Sequence, residues 1–372
     1  MIKLSKRESE ACRWISSAVK EAGGRAYLVG GCVRDALLGI APKDVDMEIY
    51  GLEPERIESI LSRRFRFEVV GKSFGVWILK GYDIDVSVPR RERKVGEGHK
   101  SFEIECDPFL PVEDACARRD FTINAMLCDY LTGEIVDPYS GREDLKNRIL
   151  RHTSGKFAED SLRVLRATQF IARFGLVPAP ETVALCAEIP FGGLAPERVF
   201  EEWKKLILKG IKISDGLNFL RDCGWVKYFP ELAACVGCPQ DPQWHPEGDV
   251  FVHTGFCLDH FAKERIGDER EDLIVGLAVL CHDLGKPLCT KRGDDGKIHS
   301  YGHDILGVKP TLKFLGRMTR EKSLIEQVCV LVERHMAVLD LWRSGAGDSA
   351  IRRLARKVQR IDRLVRVDSA DR

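Results

Sequence analysis

The sequence predicts an α+β protein in which a mixed sheet with helices is followed by a helical remainder. Apolar runs of strand type alternate with helical patterns in the first third, and strands are predicted at 26–29, 45–49, 76–79, 84–88 and 122–128. From about Gly155 onward, apolar residues recur at helical spacing, and Gly and Pro clusters near 177–180, 190–196 and 238–248 separate the helical segments. These observations predict three domains, at 1–138, 139–250 and 251–372.

Length and composition fit a cytoplasmic protein of more than one domain. The chain has 372 residues, more than one ordinary domain uses. Its 58 basic and 57 acidic residues nearly cancel, so an RNA-binding surface must be a local patch. The charged first ten residues lack the apolar region of a secretory signal, and the longest apolar run, 273–281, is about half of a membrane-spanning helix. Thirteen cysteines without a repeating framework fit a reducing compartment. The oligomeric state is left open.

A glycine turn near the N-terminus is the first candidate site. The predicted strand ending at Val29 runs into Gly30 and Gly31, and a helix begins directly after them. Glycine lets backbone N–H groups approach a phosphate, and a helix N-terminus adds partial positive charge. Arg34 lies on the first turn and could reach the same anion. The spacing differs from the G-x-G-x-x-G of a dinucleotide fold, so that alternative loses its main support.

Two carboxylates follow this turn. Asp44 and Asp46 are separated by one residue on a predicted strand, so their side chains point to the same face. Carboxylates placed in this way can share hard divalent cations, as in two-metal nucleotidyl transfer. A pair of this kind alone is often a solvated strand edge, but the upstream phosphate-type turn favours a catalytic site.

Five motifs in order give the chain a family resemblance. They are GGCVRD with LLG and KDVD, RRDFTINAM at 118–126, DPYSGREDLKNRILR at 137–151, EDSLRVLR at 159–166 and APERVFEEW at 195–203. In these the chain resembles the polymerase β-like nucleotidyltransferase superfamily, in the version carried by class II CCA-adding enzymes and bacterial poly(A) polymerases. The resemblance covers nearly the whole chain and implies a nucleotidyltransferase head, a helical neck and body, and a tRNA 3′ end as substrate.

The resemblance also implies roles for residues in the head. Asp44 and Asp46 would hold Mg²⁺, which lowers the pKa of the RNA 3′-hydroxyl and neutralises the leaving pyrophosphate. Asp85 would be a third carboxylate, although an exposed strand acid explains it equally well. Gly31 and Arg34 would contact the nucleotide, and Arg119 and Asp120 its phosphate and ribose; the alternative for this last pair is a surface charge cluster before a strand.

A second group of residues would select the base. If Asp160 and Arg163 lie on one helix face, they offer a carboxylate and a guanidinium together to the Watson–Crick edge of cytosine or adenine. The resemblance implies that this pair replaces a nucleic-acid template, that Glu159 braces Arg163, and that Arg166 approaches the triphosphate. Similar enzymes often carry a further arginine where this chain has Gln169. The alternative is an ordinary surface ion pair.

Histidines in the last third resemble the HD superfamily of metal-dependent phosphohydrolases. LAVLCHDLGKP surrounds His282 and Asp283, and WHPEGDVFVHT leads to His253, as in bacterial CCA enzymes that carry an HD domain. With Asp371 these residues would hold a divalent metal such as Ni²⁺ or Mn²⁺, and His303 and His335 are further candidate ligands. Because Asp371 lies one residue from the end of the sequence, we expect either a weakened site or a longer chain.

Three other segments have open alternatives. The polar stretch at 90–114, with loop charges at 90–94, is either a surface loop or, by the resemblance, a flexible loop that helps the pocket switch from CTP to ATP. Cys235 and Cys238 have metal-knuckle spacing but no second pair, which favours structural thiols. A helix is predicted at 351–365, with Arg352, Arg356, Arg360 and Arg363 along one face. This face is either a phosphate-binding stripe or an ordinary solvated surface.

The combined prediction is a tRNA nucleotidyltransferase that adds or repairs the 3′-terminal CCA with CTP and ATP. One alternative is a poly(A) polymerase or a partial CC- or A-adding enzyme. An alternative of another class is an HD phosphohydrolase with an RNA-binding head. The paired carboxylates Asp44 and Asp46 argue against a head that only binds RNA.

Overall fold

The computed structural model describes residues 2–70, 75–94 and 102–371 and divides the chain into two compact units, Met1–Glu159 and Asp160–Arg372. The predicted α+β class is confirmed, because a mixed sheet lies in the first unit and helices dominate the second. The three domains predicted at 1–138, 139–250 and 251–372 stay a prediction. Among the described residues, no helix combines the length and apolarity needed to cross a membrane.

The first unit is built on a seven-stranded sheet with the order β3-β4-β5-β2-β1-β8-β9. Strand β2 pairs parallel with β5, and the other neighbours whose register is known pair antiparallel. The strands of this unit are β1 (Arg25–Val29), β2 (Val45–Tyr50), β3 (Phe67–Val70), β4 (Val76–Leu79), β5 (Ile84–Ser87), β6 (Arg90–Lys94), β7 (Phe102–Cys106), β8 (Leu127–Asp129), β9 (Ile135–Val136) and β10 (Ile149–Leu150). Its helices are α1 (Lys6–Glu21), α2 (Gly31–Leu37), α3 (Pro54–Leu61), α4 (Val112–Cys116) and α5 (Gly141–Lys146).

Strand alternation sets which side chains of β2 face outward. Val45, Met47 and Ile49 are buried, whereas Asp46 is exposed and Glu48 is half-buried. Period-two alternation therefore fixes the apolar face in the core and leaves the acidic face available for chemistry.

Two expectations for this unit are corrected. The strand predicted at 122–128 is instead a 3₁₀ turn at Thr122–Asn124 followed by β8, because Asp120 Oδ1 accepts hydrogen bonds from Phe121 N at 2.8 Å and Asn124 Nδ2 at 2.9 Å and closes the turn. Arg90–Lys94 is a strand, β6, paired antiparallel with β7, and not a loop. The centre of the predicted flexible loop, 95–101, lies outside the described residues.

The second unit is helical apart from short strands. Its helices are α6 (Leu162–Phe174), α7 (Pro180–Glu188), α8 (Pro196–Lys209), α9 (Ile213–Asp222), α10 (Pro230–Ala233), α11 (Val250–Lys263), α12 (Glu269–Cys281), α13 (Lys286–Cys289), α14 (His303–Gly316), α15 (Lys322–Arg334), α16 (Ala337–Arg343), α17 (Asp348–Val358) and α18 (Ile361–Ala370). The remainder was expected to be all-helical, but β11 (Val177–Pro178), β12 (Lys291–Arg292) and β13 (Ile298–His299) interrupt it. β12 and β13 form a hairpin, which the Asp295–Gly296 turn favours because Gly296 adopts a φ of +76°.

The helix predicted at 351–365 is broken into α17 and α18. The break lies at Gln359, whose φ of +59° cannot continue a right-handed helix. Arg360 then pairs with Asp362 and Glu271, and Arg363 is buried against Glu271. The predicted basic stripe is therefore not continuous, because Arg360 and Arg363 form ion pairs within the unit while Arg352 and Arg356 remain exposed.

Candidate active site in the head and histidine cluster

The acidic face of the head sheet brings together the predicted carboxylates. Asp46 on β2 lies directly opposite Asp85 on the parallel strand β5, and Asp44 immediately precedes β2. Although part of the Asp46 side chain reaches solvent, packing around its carboxylate partly removes that group from water. This desolvation and the carboxylates of Asp85 and Asp44 raise the pKa of Asp46 despite the opposing charge of Arg119. Partial desolvation and Asp44 also raise the pKa of Asp85. The three groups therefore repel one another, and such a site favours a bound cation. No choice of one carboxylate oxygen from each of Asp44, Asp46 and Asp85 brings all three atoms within 4.8 Å of one another.

The glycine turn lies beside Asp46. Gly30 has a φ of +69°, which favours glycine, and a Cβ built there would lie 3.1 Å from Arg119 Nη1 and 4.0 Å from Asp46 Oδ2. A Cβ on Gly31 would lie 3.5 Å from Arg34 Nη2. The turn, one carboxylate and two guanidinium groups thus occupy one locality of the first unit.

The two arginines are held differently. Arg34 is buried, and its guanidinium donates to Asp35 Oδ1 at 2.6 Å and Asn124 Oδ1 at 2.6 Å. Arg119 Nη2 lies 3.5 Å from both carboxylate oxygens of Glu48. Asp120 is buried, with one oxygen accepting from the 3₁₀ turn described above.

Sequence reasoning missed two residues of this site. Glu48 anchors Arg119 and accepts a hydrogen bond from Tyr50 Oη at 2.6 Å. It lies two residues after Asp46, so the same alternation argument could have placed it on the acidic face. Asn124 links Arg34 to Asp120, and nothing in its spacing within the motif indicates that link.

The predicted base-selecting residues lie around the start of α6. Glu159 ends a 3₁₀ turn and Asp160 precedes the helix, so only Arg163 of the predicted pair is helical. Asp160 Oδ1 accepts from Leu162 N at 3.1 Å, and Asp160 Oδ2 pairs with Arg198 Nη2 of α8 at 2.7 Å. The expectation that the pair shares a helix face is therefore wrong, because α6 begins at Leu162, two residues after Asp160, whose carboxylate accepts from the first N–H of the helix.

Glu159 and Arg166 also have identified partners. Glu159 Oε2 pairs with Arg118 Nη2 at 3.1 Å. In the second unit, Arg166 Nη1 lies 3.9 Å from Glu202 Oε1, and its guanidinium lies over the ring of Phe170. Gln169 is buried, and within the described residues its Oε1 has no hydrogen-bond partner.

The second unit assembles the histidines and aspartates predicted from the HD resemblance. His253 Nε2 lies 2.8 Å and His282 Nε2 3.2 Å from Asp371 Oδ1, and His282 Nε2 lies 3.3 Å from Asp283 Oδ2. On the other side, His303 Nε2 lies 3.3 Å from Asp283 Oδ1 and 3.0 Å from His335 Nε2. We call these six residues the histidine cluster.

Several elements of the second unit hold the cluster together. His253 is on α11, His282 and Asp283 follow α12, and His303 begins α14. A Cβ on Gly285 would lie 2.0 Å from His303 O, so glycine at this position is what permits α14 to approach. Asp371 follows α18, which is anchored to α12 by the ion pair of Arg366 with Asp272 at 2.5 Å. This ion pair holds α18, and with it Asp371, against α12.

The donor chemistry of the cluster fits a divalent metal. Both carboxylate oxygens of Asp283 and the Nε2 atom of His282 are buried, and the charged groups that face them are Lys286 and the other residues of the cluster. Two sets of ligand atoms each lie within 4.8 Å of one another: the first is His253, His282 and Asp371 with the neighbouring Cys257, and the second is Asp283, His303 and His335. Ligands of one ion at about 2.1 Å lie about 3 Å apart, and the contacts of 2.8–3.3 Å given above match that spacing.

Charges within the cluster are strongly coupled. Burial disfavours charge on His253, but its hydrogen bonds to Asp371 and Cys257 raise the pKa of the imidazole to about 10. Burial and the nearby charge of His282 lower the pKa of His335 to about 4. Although burial opposes it, the charges of His282 and Lys286 lower the pKa of Asp283. Lys286 Nζ lies 2.7 Å from Asp283 Oδ2 and donates to Gln240 Oε1 at 2.7 Å.

The cysteine pair is not part of this cluster. Cys235 and Cys238 are buried free thiols, and burial raises the pKa of each. Cys235 Sγ donates to Glu231 O, and Cys238 Sγ donates to Thr290 Oγ1. These contacts agree with the structural thiols that the sequence favours.

Comparison with known proteins decides the family. The model of the poly A polymerase head domain matches residues 26–151. The chain is 38% identical over 316 residues to the multifunctional CCA protein of Stenotrophomonas maltophilia, covering 82% of this chain and 75% of that protein. The chain belongs to the multifunctional CCA protein family. A second family member, from Xylella fastidiosa, is 35% identical over 364 residues, covering 93% of this chain and 83% of that protein.

A solved structure extends the likeness to the fold. The crystal structure of the Bacillus stearothermophilus CCA-adding enzyme in complex with CTP matches with a TM-score of 0.66 and 25% identity, over 99% of this chain and 78% of that one. The resemblance inferred from five sequence motifs is confirmed at the level of the multifunctional CCA protein family. Membership of a nucleotidyltransferase family implies a divalent metal cofactor.

Proposed function

We propose that this chain adds or repairs the 3′-terminal CCA of tRNA with CTP and ATP, by metal-dependent nucleotidyl transfer in the cytoplasm. The observation that carries the proposal, in a member of this family, is that Asp46 lies opposite Asp85 and beside the Gly30–Gly31 turn, with Asp44 directly before the same strand. The thirteen free cysteines support a reducing compartment.

Each head residue has a role that its chemistry allows. Asp44 and Asp46, with Asp85, would hold Mg²⁺, which when bound supplies the positive charge that activates the 3′-hydroxyl and neutralises pyrophosphate. Backbone N–H groups of the glycine turn and the Arg119 fork would bind the triphosphate. Arg34 and Asp120, linked through Asn124, would fix the floor of the nucleotide pocket.

The residues around the start of α6 would select the base. Arg198 and the Leu162 N–H hold the Asp160 carboxylate, so its remaining lone pairs have a defined direction. Asp160 and Arg163 would together satisfy cytosine or adenine and leave guanine or uracil with unpaired groups. Arg166 would approach the triphosphate from the same helix.

Substitution of the carboxylates tests the proposal. Asp44→Ala and Asp46→Ala should each reduce CTP and ATP incorporation to background and leave tRNA affinity nearly unchanged, because these groups act on metal and phosphate. Glu58→Gln, an exposed acid on α3, is the matched control and should retain full activity. Incorporation at the wild-type rate by either Asp variant contradicts the assignment.

The choice of tRNA substrate tests the extent of addition. Purified chain is offered tRNAs ending before the first C, after CC, and complete, with each nucleoside triphosphate separately. Addition of C, C and A in order supports full CCA synthesis. Long A tracts would instead identify a poly(A) polymerase, and a single class of nucleotide a partial CC- or A-adding enzyme.

The histidine cluster supports a second activity. We propose that His253, His282, Asp283 and Asp371 hold a divalent ion such as Ni²⁺ or Mn²⁺, with His303 and His335 as further ligands, and hydrolyse phosphomonoesters or 2′,3′-cyclic phosphodiesters. The convergence of the imidazole nitrogens of His253 and His282 on the carboxylate oxygens of Asp283 and Asp371 carries this proposal. Hydrolysis by the unmutated chain should be metal-dependent and sensitive to chelators. No bound metal and no hydrolysis with Mg²⁺, Mn²⁺ or Ni²⁺ would reduce the cluster to a scaffold.

A further inference from the structure

One imidazole of the histidine cluster has a different kind of hydrogen-bond partner from the other three. The Nδ1 atoms of His282, His303 and His335 each donate to a backbone carbonyl three residues earlier, at 2.7–2.8 Å. His253 Nδ1 instead donates at 2.7 Å to a side-chain carboxylate oxygen, Glu247 Oε1. A carboxylate can only accept at that contact, so Glu247 holds a proton on Nδ1. This leaves Nε2, which faces Asp371 at 2.8 Å and Asp283 at 3.7 Å, as the nitrogen on which an ion would replace the proton.

Glu247 is held in place by the segment that leads into α11. Asp249 caps α11 by accepting from Val252 N at 2.8 Å, and its second oxygen accepts from Gly237 N at 2.6 Å. The same Glu247 Oε1 accepts from His245 Nδ1 at 3.0 Å, and the His245 ring lies edge-on to His253 with centroids 4.5 Å apart. Glu247 is thus a fixed bridge between two imidazoles, one inside the cluster and one at its rim.

A carboxylate behind an imidazole changes what the imidazole can bind. It fixes the tautomer and the ring orientation, and it raises the basicity of the opposite nitrogen, and loss of such a partner typically lowers metal affinity about 10- to 100-fold. Backbone carbonyls fix the tautomer and orientation of the other three histidines but raise the basicity less, because they carry no formal charge. His253 is therefore the cluster ligand whose strength depends on a replaceable side chain.

We infer that Glu247 is a positioning residue that sets the affinity of the histidine cluster for a divalent ion through His253, and that His245 holds Glu247 in position. The inference rests on the proposed ion site, and it assigns to the WHPEGD segment a part in that site.

Metal affinity measured directly tests the inference without relying on activity. Ni²⁺ and Mn²⁺ binding to the full chain is measured by competition with a chromogenic chelator, and bound metal is counted after dialysis. Glu247→Ala should bind about 10- to 100-fold more weakly. Glu247→Gln, whose amide oxygen still accepts from Nδ1–H but lacks the charge, should lie between the two, and His245→Ala should show a smaller loss.

A matched control separates positioning from folding. Asp295→Asn removes the carboxylate of another carboxylate–imidazole contact, that of Asp295 with His299 at 3.1 Å, which touches no cluster residue. It should bind metal like the wild type. All variants should melt at the wild-type temperature without metal and retain CTP incorporation. A metal affinity that falls in the order wild type, Glu247→Gln, Glu247→Ala is not expected from a merely structural role.

The outcomes distinguish the inference from the proposal beneath it. Wild-type affinity in Glu247→Ala, with metal bound by the unmutated chain, overturns the inference and leaves the ion site standing. Equal losses in the Gln and Ala variants with a lowered melting temperature also overturn it, in favour of a structural role. No metal bound by the unmutated chain overturns both.

Discussion

At the scale of single residues, the head site is a place where like charges are held together. Asp46 faces Asp85 across a parallel strand pair and has Asp44 and Glu48 nearby on its own chain segment, with Arg119 as the compensating cation. Placing carboxylates this close costs stability, and active sites typically carry such costs because a bound cation offsets them.

Neutralising Asp46 should therefore stabilise the metal-free protein. The pKa of Asp46 is raised in the folded state, so the folded state binds its proton more tightly than the unfolded state does, and stability falls as pH rises through the window above the ordinary aspartate pKa. Asp46→Asn should raise the melting temperature at pH 7–8 and have little effect near pH 3. Thermal melting with EDTA measures this.

Added Mg²⁺ should reverse that order. It should raise the melting temperature of the wild type more than that of Asp46→Asn, because the variant has lost a ligand. Two results would contradict the charge-repulsion account. One is an equal melting temperature for wild type and Asp46→Asn in EDTA, and the other is an equal rise in the melting temperature of both proteins with Mg²⁺.

Residue spacing predicted part of this site and could not predict the rest. Alternation along one strand places Asp44 and Asp46 on one face, which needs only the local period of two. The position of Asp85 depends on which strand pairs with β2 and in which register, and that is decided by tertiary packing. The sequence alone therefore left Asp85 no better than an exposed acid, and left Asn124 unnoticed.

At the scale of elements, helix boundaries decide how selecting residues are presented. Period-three spacing predicted Asp160 and Arg163 on one helix face, but the helix begins at Leu162 and Asp160 lies before it. Capping competes with helix extension because an aspartate carboxylate can accept from backbone N–H groups that have no helical partner. Here the carboxylate is fixed from two sides, by Leu162 N and by Arg198.

Base selection should depend on these groups more than the rate of chemistry does. Asp160→Ala or Arg163→Ala should relax discrimination against UTP and GTP by about 5- to 150-fold, since one good polar base contact contributes about 1–3 kcal/mol of discrimination. Incorporation ratios for the four triphosphates measure this, with Lys212→Ala, away from this segment, as control. If UTP and GTP stay excluded as strongly as in the wild type, Asp160 and Arg163 do not select the base.

The break between α17 and α18 separates two kinds of arginine. Arg363 is buried against Glu271, so Arg363→Ala should lower the unfolding free energy by about 3 kcal/mol and depress the melting temperature.

Arg352 and Arg356 are exposed, so their replacement by Ala should leave stability nearly unchanged. If they contact the tRNA backbone, each loss should lower the salt dependence of tRNA binding by about one unit of slope. An unchanged slope in the double variant would leave α17 an ordinary solvated face.

At the scale of the whole molecule, the two compact units carry chemically different sites. Three carboxylates and a glycine turn lie in the first unit, and buried histidines with aspartates lie in the second. Order of motifs along the chain predicted both sites, because each motif is short and local. The HD resemblance also grouped Asp371 with His253 and His282. The motifs could not show how α18 is held against α12, because that depends on the ion pairs of Glu271 and Asp272.

Separate sites predict separable activities. His282→Ala combined with Asp283→Ala removes the buried imidazole and carboxylate at the centre of the histidine cluster, so metal-dependent hydrolysis of a 2′,3′-cyclic phosphate should fall to background. Incorporation of CTP and ATP into tRNA should continue at the wild-type rate, because no head carboxylate is changed. Asp46→Ala should give the reverse pattern.

Both reactions are assayed on the same preparations, with Asp295→Asn as the common control. Since removing the two charged groups also empties a buried polar cluster, a melting curve of the double variant confirms that the second unit remains folded. Loss of both activities in a folded double variant would show that the histidine cluster also serves nucleotide addition, and hydrolysis persisting in it would place the hydrolytic site elsewhere.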